Sequence, residues 1–332
     1  MTEKLSTGKN WTKWEHRFHK SLIDEKSLLP NKSTLLIAVS GGQDSMALLS
    51  TFIKLRELHQ WSIFVWHGNH NWQKNSHITE TNLMRWCKLR QLNFLSDKAE
   101  INSIKSEEKA REWRYSKLIE NANRLSCNHV ITAHTGSDRA ETLILNLARG
   151  ANFKGLGSLS KKRMLAKNIY LIRPFLIFSR NETLEICKSL KIPFWPDPSN
   201  LDQRFARNKI RESIVPIMEE LYPGSSSRIA NLAERIENID KEHAELVNLS
   251  IQLLFNNNNL ERNKFLHLSK ETRASIMRQY LLDKDVKNLS AKIINKLNNN
   301  IENNEIGNFQ LSNNFIIQWG KNIISLRCIK SS

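Results

Sequence analysis

Apolar residues at Trp11, Trp14, Phe18 and Leu22 recur at steps of three and four, a spacing that predicts an amphipathic helix ahead of the first strand, its aromatic stripe turned to the core. Leu35 to Ser40 reads LLIAVS and is closed by Gly41 and Gly42. An unbroken apolar run of this kind, ended by glycines, predicts a strand covered on both faces of a parallel sheet. The pattern then alternates. A helix is expected over Ser45 to Leu58, a strand over Ile63 to Trp66, helices over Ser76 to Leu92 and Glu107 to Arg124, a third strand over His129 to Ala133, and a helix over Arg139 to Leu147. Strands separated by helices predict an α/β fold, a doubly wound and mostly parallel sheet.

Arg149 to Arg180 is glycine-containing and basic, with a hairpin expected around Lys161, Lys162 and Arg163, and Pro193, Pro196 and Pro198 mark a turn-rich stretch. From Ala206 the pattern is helical, and Ile229, Leu232, Ile236, Ile239 and Leu246 predict one long helix. Beyond it asparagine accumulates while apolar periodicity persists, which predicts a small folded domain rather than a tail. The organisation read from these shifts is an N-terminal helix (1–29), a main α/β domain (30–215), a helical connector (216–250) and a small C-terminal domain (251–332).

Composition narrows the class. The 332 residues are 40% hydrophobic and 25% charged, which excludes wholesale disorder. Lysine and arginine number 50 against 33 acids, a net charge of +17 that points to a polyanionic partner, nucleic acid first. Nine basic residues against the single acid Glu141 lie between positions 139 and 180, a strip suited to RNA docking. Cys87, Cys127, Cys187 and Cys328 are scattered, so neither a disulfide framework nor a zinc site is expected and a reducing cytoplasm is the natural setting. The N-terminus lacks an apolar core and no run of 18 apolar residues occurs, so neither secretion nor a membrane partner is expected.

Candidate chemistry begins at Ser40-Gly41-Gly42-Gln43-Asp44-Ser45, between the buried strand and a helix. Two glycines let backbone approach a phosphate, the helix N-terminus offers unpaired N–H groups, and the hydroxyls add donors. Asp44 suits Mg²⁺ bridging to phosphates, or simply caps the helix. The lysine of the common phosphate-binding loop is missing, so ordinary phosphate-loop kinases and GTPases are not indicated. Arg111 and Arg114 lie one turn apart and can serve one phosphate cluster. Asp138 and Glu141 open a helix after a strand, where they suit an ammonium, a proton transfer or a capping box. Arg204, Arg207 and Arg211 share one helix face suited to RNA phosphates or to solvent. His67, Asn69, His70 and Trp72 follow the second strand, placed to line a nucleotide pocket.

The hexapeptide resembles the S-G-G-x-D-S loop of the N-type ATP pyrophosphatases, which split ATP between its α and β phosphates. Three further stretches resemble the tRNA(Ile)-lysidine synthase family in particular. Glu107 to Tyr115 is similar to its E-x-x-A-R-x-x-R-Y helix. Ala133 to Thr142 is similar to its A-H-H-x-D-D-Q-A-E-T segment, matching at His134, Asp138, Glu141 and Thr142 and departing at Thr135, Ser137 and Arg139. Asp197 to Asn200, with Arg207-Asn208 and Ile210-Arg211, is similar to its D-P-S-N and R-N-x-I-R block.

The resemblance covers residues 30 to 215 and implies an ATP-dependent carbon–nitrogen ligase that joins free L-lysine to C2 of the wobble cytidine of a tRNA(Ile) with a CAU anticodon. It implies ATP contacts from Ser40 to Ser45, His67 and His134, with Mg²⁺ on Asp44. It implies catalytic roles for Asp44, Arg111, Arg114, Asp138 and Glu141. For tRNA it implies Lys161, Lys162, Arg163, Arg204, Arg207 and Arg211, together with the C-terminal domain. Two rivals stand beside this reading: a sulfurtransferase built on the same loop, which the scattered cysteines oppose, and a non-catalytic RNA-binding protein on a decayed scaffold, suggested by Thr135 and Ser137.

Overall fold

The computed structural model describes residues 11–70, 76–100, 106–157, 159–195, 206–256, 259–312 and 314–328. Asp197 to Asn200, Arg204 and Trp72 lie outside the described residues. The chain divides into two compact units, Met1–Glu237 and Asn238–Ser332.

The first unit begins with α1 (Lys13–Asp24), whose Thr12 and Glu15 close a capping box and whose Trp14, Phe18 and Leu22 are buried, as the stripe predicts. Next come β1 (Thr34–Ala38), α2 (Gln43–His59), β2 (Ser62–Asn69), α3 (Ser76–Lys88), β3 (Asn93–Lys98), α4 (Glu107–Arg124), β4 (His129–Ile131) and α5 (Gly136–Ala148). After these lie α6 (Phe153–Leu156), β5 (Lys162–Ala166), β6 (Ile169–Ile172), a 3₁₀ turn (Pro174–Ile177) and α7 (Arg180–Ser189). The six strands form one sheet in the order β3-β2-β1-β4-β6-β5, parallel throughout except for the β5–β6 pair. Strand order reverses beside β1, so the loop after β1 sits where ligands gather in such sheets.

Burial of β1 follows its period of two. Leu35 and Ile37 join a core with Phe18, Phe52 and Phe175. Leu36 joins the core on the opposite face, with Trp66, Leu118 and Val130. Phe18 packs at 5.3 Å from Phe52 and 5.5 Å from Phe175, ring centre to ring centre. Phe18→Ala is therefore expected to lower stability by about 3–5 kcal/mol, measured by denaturant unfolding. A loss below about 1 kcal/mol would show that α1 is dispensable to this core.

One expectation needs correction and two gain detail. The helix from Ser76 ends at Lys88, and Asn93–Lys98 is an edge strand; its half-exposed sequence NFLSDK lacks the apolar run that marks a buried strand. The β5–β6 hairpin turns at Lys167 and Asn168, with Asn168 at φ 61°, so Lys161 to Arg163 lie at the start of β5 and not at the turn. The long helix runs over Ser225–Leu254 as α10, after α8 (Ala206–Lys209), a π-helical turn (Ile210–Ile214) and α9 (Val215–Leu221). Its Leu232, Ile239 and Leu246 are exposed, while Ala230, Ala233 and Glu237 are buried. Small side chains permit the close approach here, since a Cβ on Gly157 would stand 2.9 Å from Glu237 backbone.

The second unit completes its fold with β7 (Phe255–Asn256), β8 (Asn259–Glu261), α11 (Arg262–Leu266), α12 (Lys270–Leu282), α13 (Ala291–Asn303), β9 (Gly307–Ser312), β10 (Phe315–Trp319) and β11 (Ile323–Cys328). Its antiparallel sheet, ordered β7-β8-β11-β10-β9, shares a core with Ile276, Tyr280, Leu297 and Ile301. Among the described residues no helix is long and apolar enough to cross a membrane.

Candidate active site

The loop after β1 is shaped by Gly41, whose φ of +90° and whose distance of 2.6 Å from a built Cβ to Thr79 Cγ2 admit no larger residue. The Ser40 and Ser45 hydroxyls stand 3.2 Å apart; Ser45 Oγ donates to the Gly42 carbonyl at 2.9 Å and accepts from the Gly41 N–H at 3.2 Å. Gly42 is the N-cap of α2 and supplies no capping side chain. The first-turn amides of α2 are thus left for an external anion. Gln43 contributes backbone only, because its side chain donates to the Arg180 carbonyl at 2.8 Å and to Thr183 Oγ1 at 3.2 Å.

Asp44 projects from the first turn of α2 and is tied to α7. Thr183 Oγ1 donates to Asp44 Oδ1, and Arg180 Nη1 lies 3.3 Å from Oδ2. Burial raises the Asp44 pKa above the ordinary carboxylate value and the nearby Asp138 charge raises it further, against the lowering effects of Arg180 and Thr183. A carboxylate in this position beside the loop would suit a Mg²⁺ ion, and Asp44 is the residue that could hold it. No group of three or more His, Cys, Asp or Glu side chains suited to a metal occurs among the described residues, so phosphate and water would supply the remaining ligands.

Asp138 and Glu141 lie at the start of α5. The capping box here is Thr135 with Asp138, not Asp138 with Glu141: Asp138 Oδ2 accepts from Thr135 N at 2.7 Å and Thr135 Oγ1 at 2.9 Å. The other oxygen, Oδ1, accepts from Arg207 Nη2 at 3.0 Å and Arg211 Nη2 at 3.2 Å. Burial alone would raise the Asp138 pKa, but Arg207, His134, the Thr135 amide and Arg211 together hold it at about 2. Glu141, 2% exposed, receives Arg211 Nε at 2.7 Å, Arg211 Nη2 at 2.9 Å and Arg207 Nε at 3.0 Å.

These contacts revise two sequence expectations. Glu141 is saturated by guanidinium donors and holds the arginines rather than acting as a free base. Arg207 and Arg211 turn inward to the carboxylates instead of presenting an outward row to RNA. The π-helical turn that carries Arg211, closed by the Val215 N–H bonded to the Ile210 carbonyl, precedes Pro216, which has no N–H for the ordinary helical bond.

His67 is buried, its Nδ1 2.8 Å from the Val39 carbonyl, and burial lowers its pKa, so the ring is neutral and donates to that oxygen. His134 Nδ1 lies 2.9 Å from Thr132 Oγ1; burial, then the Arg173 charge, push its pKa down to about 3, so it too is neutral at pH 7. Arg111 and Arg114 lie one turn apart on α4, with the Arg111 guanidinium 5.1 Å from the centre of the Tyr115 ring. Arg163 approaches the same ring to 5.0 Å. Lys161 is spent on Glu25 at 2.5 Å and Glu234 at 2.7 Å, and Lys162 donates to the Ser27 carbonyl at 2.8 Å. Lys161 is thus held by two acids of the same unit.

Sequence reasoning missed Arg180, Thr183 and Arg173. Arg173 and Arg180 counted only as members of a basic strip, and Thr183 carries no motif. Their one signal is position, just after the ends of β6 and the 3₁₀ turn, on the same side of the sheet as the loop after β1.

The PP-loop domain family matches residues 12–218. A tRNA(Ile)-lysidine synthase of Prochlorococcus marinus is 45% identical over 98% of this chain and 99% of its own length. The enzyme of that name from Parasynechococcus marenigrum is 40% identical over 98% of both chains. A chloroplastic tRNA(Ile)-lysidine synthase of Pyropia yezoensis is 30% identical over 78% of this chain and 80% of its own. Among solved structures, a U34-tRNA thiolase from Methanococcus maripaludis superposes with a TM-score of 0.57 at 17% identity, over 68% of this chain and 78% of its own, a likeness of fold alone. With near full-length identity of this order and the loop, cradle and carboxylate–arginine cluster in place, the chain belongs to the tRNA(Ile)-lysidine synthase family of ATP-using PP-loop enzymes.

Proposed function

We propose that the protein joins L-lysine to C2 of the wobble cytidine of a tRNA(Ile) with a CAU anticodon, in two steps at one site. Cytidine O2 attacks the α-phosphate of ATP and pyrophosphate leaves; the lysine ε-amine then attacks C2 and AMP departs. The product pairs with adenine, and the tRNA changes from methionine to isoleucine identity. One observation carries this reading: Arg180 joins the two parts, its Nη1 3.3 Å from Asp44 Oδ2 and its backbone N–H donating to Ser137 Oγ at 3.1 Å, which sets the start of α5 with its carboxylate–arginine cluster beside the cradle for phosphate.

The first-turn amides of α2 hold the pyrophosphate, and Asp44 would hold Mg²⁺, which would supply charge neutralisation for the leaving group. Arg111 and Arg114, one turn apart on α4, add positive charge around the reacting centre, which stabilises charge developing in the transition state. Asp138, held at about 2, is ionised at every working pH and is a poor base, so its part is to attract the lysine ammonium. Glu141 keeps Arg207 and Arg211 in place. Sulfur transfer finds no support: burial pushes the Cys87 and Cys187 thiols up to about 12, far from reactive thiolates.

The test is incorporation of labelled L-lysine into tRNA(Ile) with a CAU anticodon, with and without ATP, beside elongator tRNA(Met). ATP-dependent incorporation favouring tRNA(Ile) is expected. Pyrophosphate release without lysine transfer would refute lysine as the nucleophile, and neither signal from folded protein that binds tRNA would leave only the RNA-binding rival.

A further inference from the structure

Three guanidiniums from separate elements gather on one phenol. Arg111 comes from α4, Arg163 from the edge strand β5 and Arg173 from the residue after β6; the first two lie 5.1 Å and 5.0 Å from the Tyr115 ring centre. Arg173 is 1% exposed, donates from Nη1 to the Ser160 carbonyl at 2.8 Å, and keeps a buried Nε with no hydrogen-bond partner.

Elsewhere in this unit arginines turned inward meet acids: the buried Arg139 meets Glu237 at 2.5 Å and the partly buried Arg211 meets Glu141 at 2.7 Å. Arg111, Arg163 and Arg173 meet none among the described residues within ion-pair distance. Positive charge concentrated in a half-buried site without a counter-charge is costly, and such a site is completed by an anion from outside. The field is felt by its neighbours. Burial raises the Tyr115 pKa, yet Arg111, Arg173 and Arg163 together bring it below the ordinary phenol value. Arg173 and Arg111 also act on His134, so the cluster borders the active site.

The cradle for ATP phosphates follows β1, whereas this cluster stands at β6 and β5, two and three strands further along the sheet. At ~4.8 Å per strand the two lie roughly 10–14 Å apart, too far to serve a single phosphate. Arg111 is exposed and Arg163 half-exposed on the open edge of the sheet, which suits a chain passing over the surface. We propose that Arg111, Arg163 and Arg173, gathered on Tyr115, form a second phosphate site that takes a backbone phosphodiester of the RNA substrate next to the target nucleotide.

This inference rests on the RNA-modifying reading above, so its test measures RNA and nucleotide binding separately, without turnover. Arg163→Gln removes a half-exposed side chain that is not needed for the core; Arg173→Lys keeps the buried charge but loses the fork of donors. Binding of tRNA(Ile) is titrated at several salt concentrations, and Mg–ATP binding alongside. Arg163→Gln is expected to weaken RNA binding about tenfold and to reduce the log–log salt slope by about one contact, with ATP affinity within about twofold of the parent. Arg173→Lys should move RNA affinity in the same direction. Unchanged RNA affinity and slope in both variants would overturn the site, and so would a roughly tenfold loss of ATP affinity with RNA binding intact, which would assign the cluster to the nucleotide. Wild-type protein that binds no tRNA at all would overturn the functional reading as well, so the two failures are distinguishable.

Discussion

Asp44→Asn is expected to lower turnover by about a hundredfold or more while leaving the fold as stable as the parent, or more so. The loss follows from removing the charge that would hold Mg²⁺ against the phosphates, an electrostatic contribution of about 2.7–4 kcal/mol in comparable sites. The stability claim follows from linkage. The folded state raises the Asp44 pKa, through burial and the Asp138 charge. An acid with a raised folded pKa stabilises the fold below its unfolded value of 3.8, and that contribution is lost as pH rises through the folded value. At neutral pH the ionised carboxylate is therefore a net burden, and asparagine removes it while still accepting from Thr183. Pyrophosphate release in the presence of tRNA, together with thermal unfolding at pH 7, checks both halves. Parental turnover would remove Asp44 from the catalytic machinery, and a lower unfolding temperature would contradict the linkage argument. A group kept where it destabilises the fold is what an active site requires when function demands charge in a buried place.

Glu141→Ala is expected to be the most destabilising single substitution at the site, by about 3–5 kcal/mol, because it strips a buried carboxylate from two guanidiniums that stay behind. Arg207 and Arg211 would then share only Asp138 Oδ1, at 3.0 Å and 3.2 Å. Denaturant unfolding measures the loss, and adding Arg211→Met should recover part of it, since the removed charge no longer lacks a partner. A loss below about 1 kcal/mol would show the pair to be solvent-relaxed. The same cluster sets an acid limit. Asp138 has a depressed folded pKa of about 2, so its contribution is present above the unfolded value of 3.8 and is lost as pH falls through that window. Unfolding followed from pH 5 down to pH 2 should show a fall in stability that Asp138→Asn makes shallower, and an unchanged fall would remove Asp138 from this limit.

The legible parts of this protein were those in which neighbours in sequence are also neighbours in space. The helix over Glu107–Arg124 and the aromatic stripe of α1 were readable because a helical period reports its own buried face. So was β1, where apolar residues on both faces mean two cores. The edge strand β3 was not, since half-exposed residues carry no such mark. In α10 the long helix was legible, but its packing was not: Leu232, Ile239 and Leu246 are exposed, and close packing buries Ala230 and Ala233 instead.

The active site divides along the same line. The hexapeptide after β1 determines its own anion cradle, since the two glycines and the first turn of α2 are contiguous and their backbone geometry is local. Fold class, the positive charge that favours RNA, and the motifs that place the chain in its family were likewise carried by the sequence alone. The partners of each charge were not. Arg207 and Arg211 read as an outward row until α8 and the π-helical turn brought them onto Asp138 and Glu141, some 70 positions away in the chain. Lys161 was legible as a cation, but its partners Glu25 and Glu234 were not. Arg180, Thr183 and Arg173 became site residues only when α7 and β6 reached the neighbourhood of the cradle. A charged side chain has the same appearance in a sequence whether it faces solvent, a substrate or a counter-ion, because its role is set by distance and burial, and those exist only once the chain has folded.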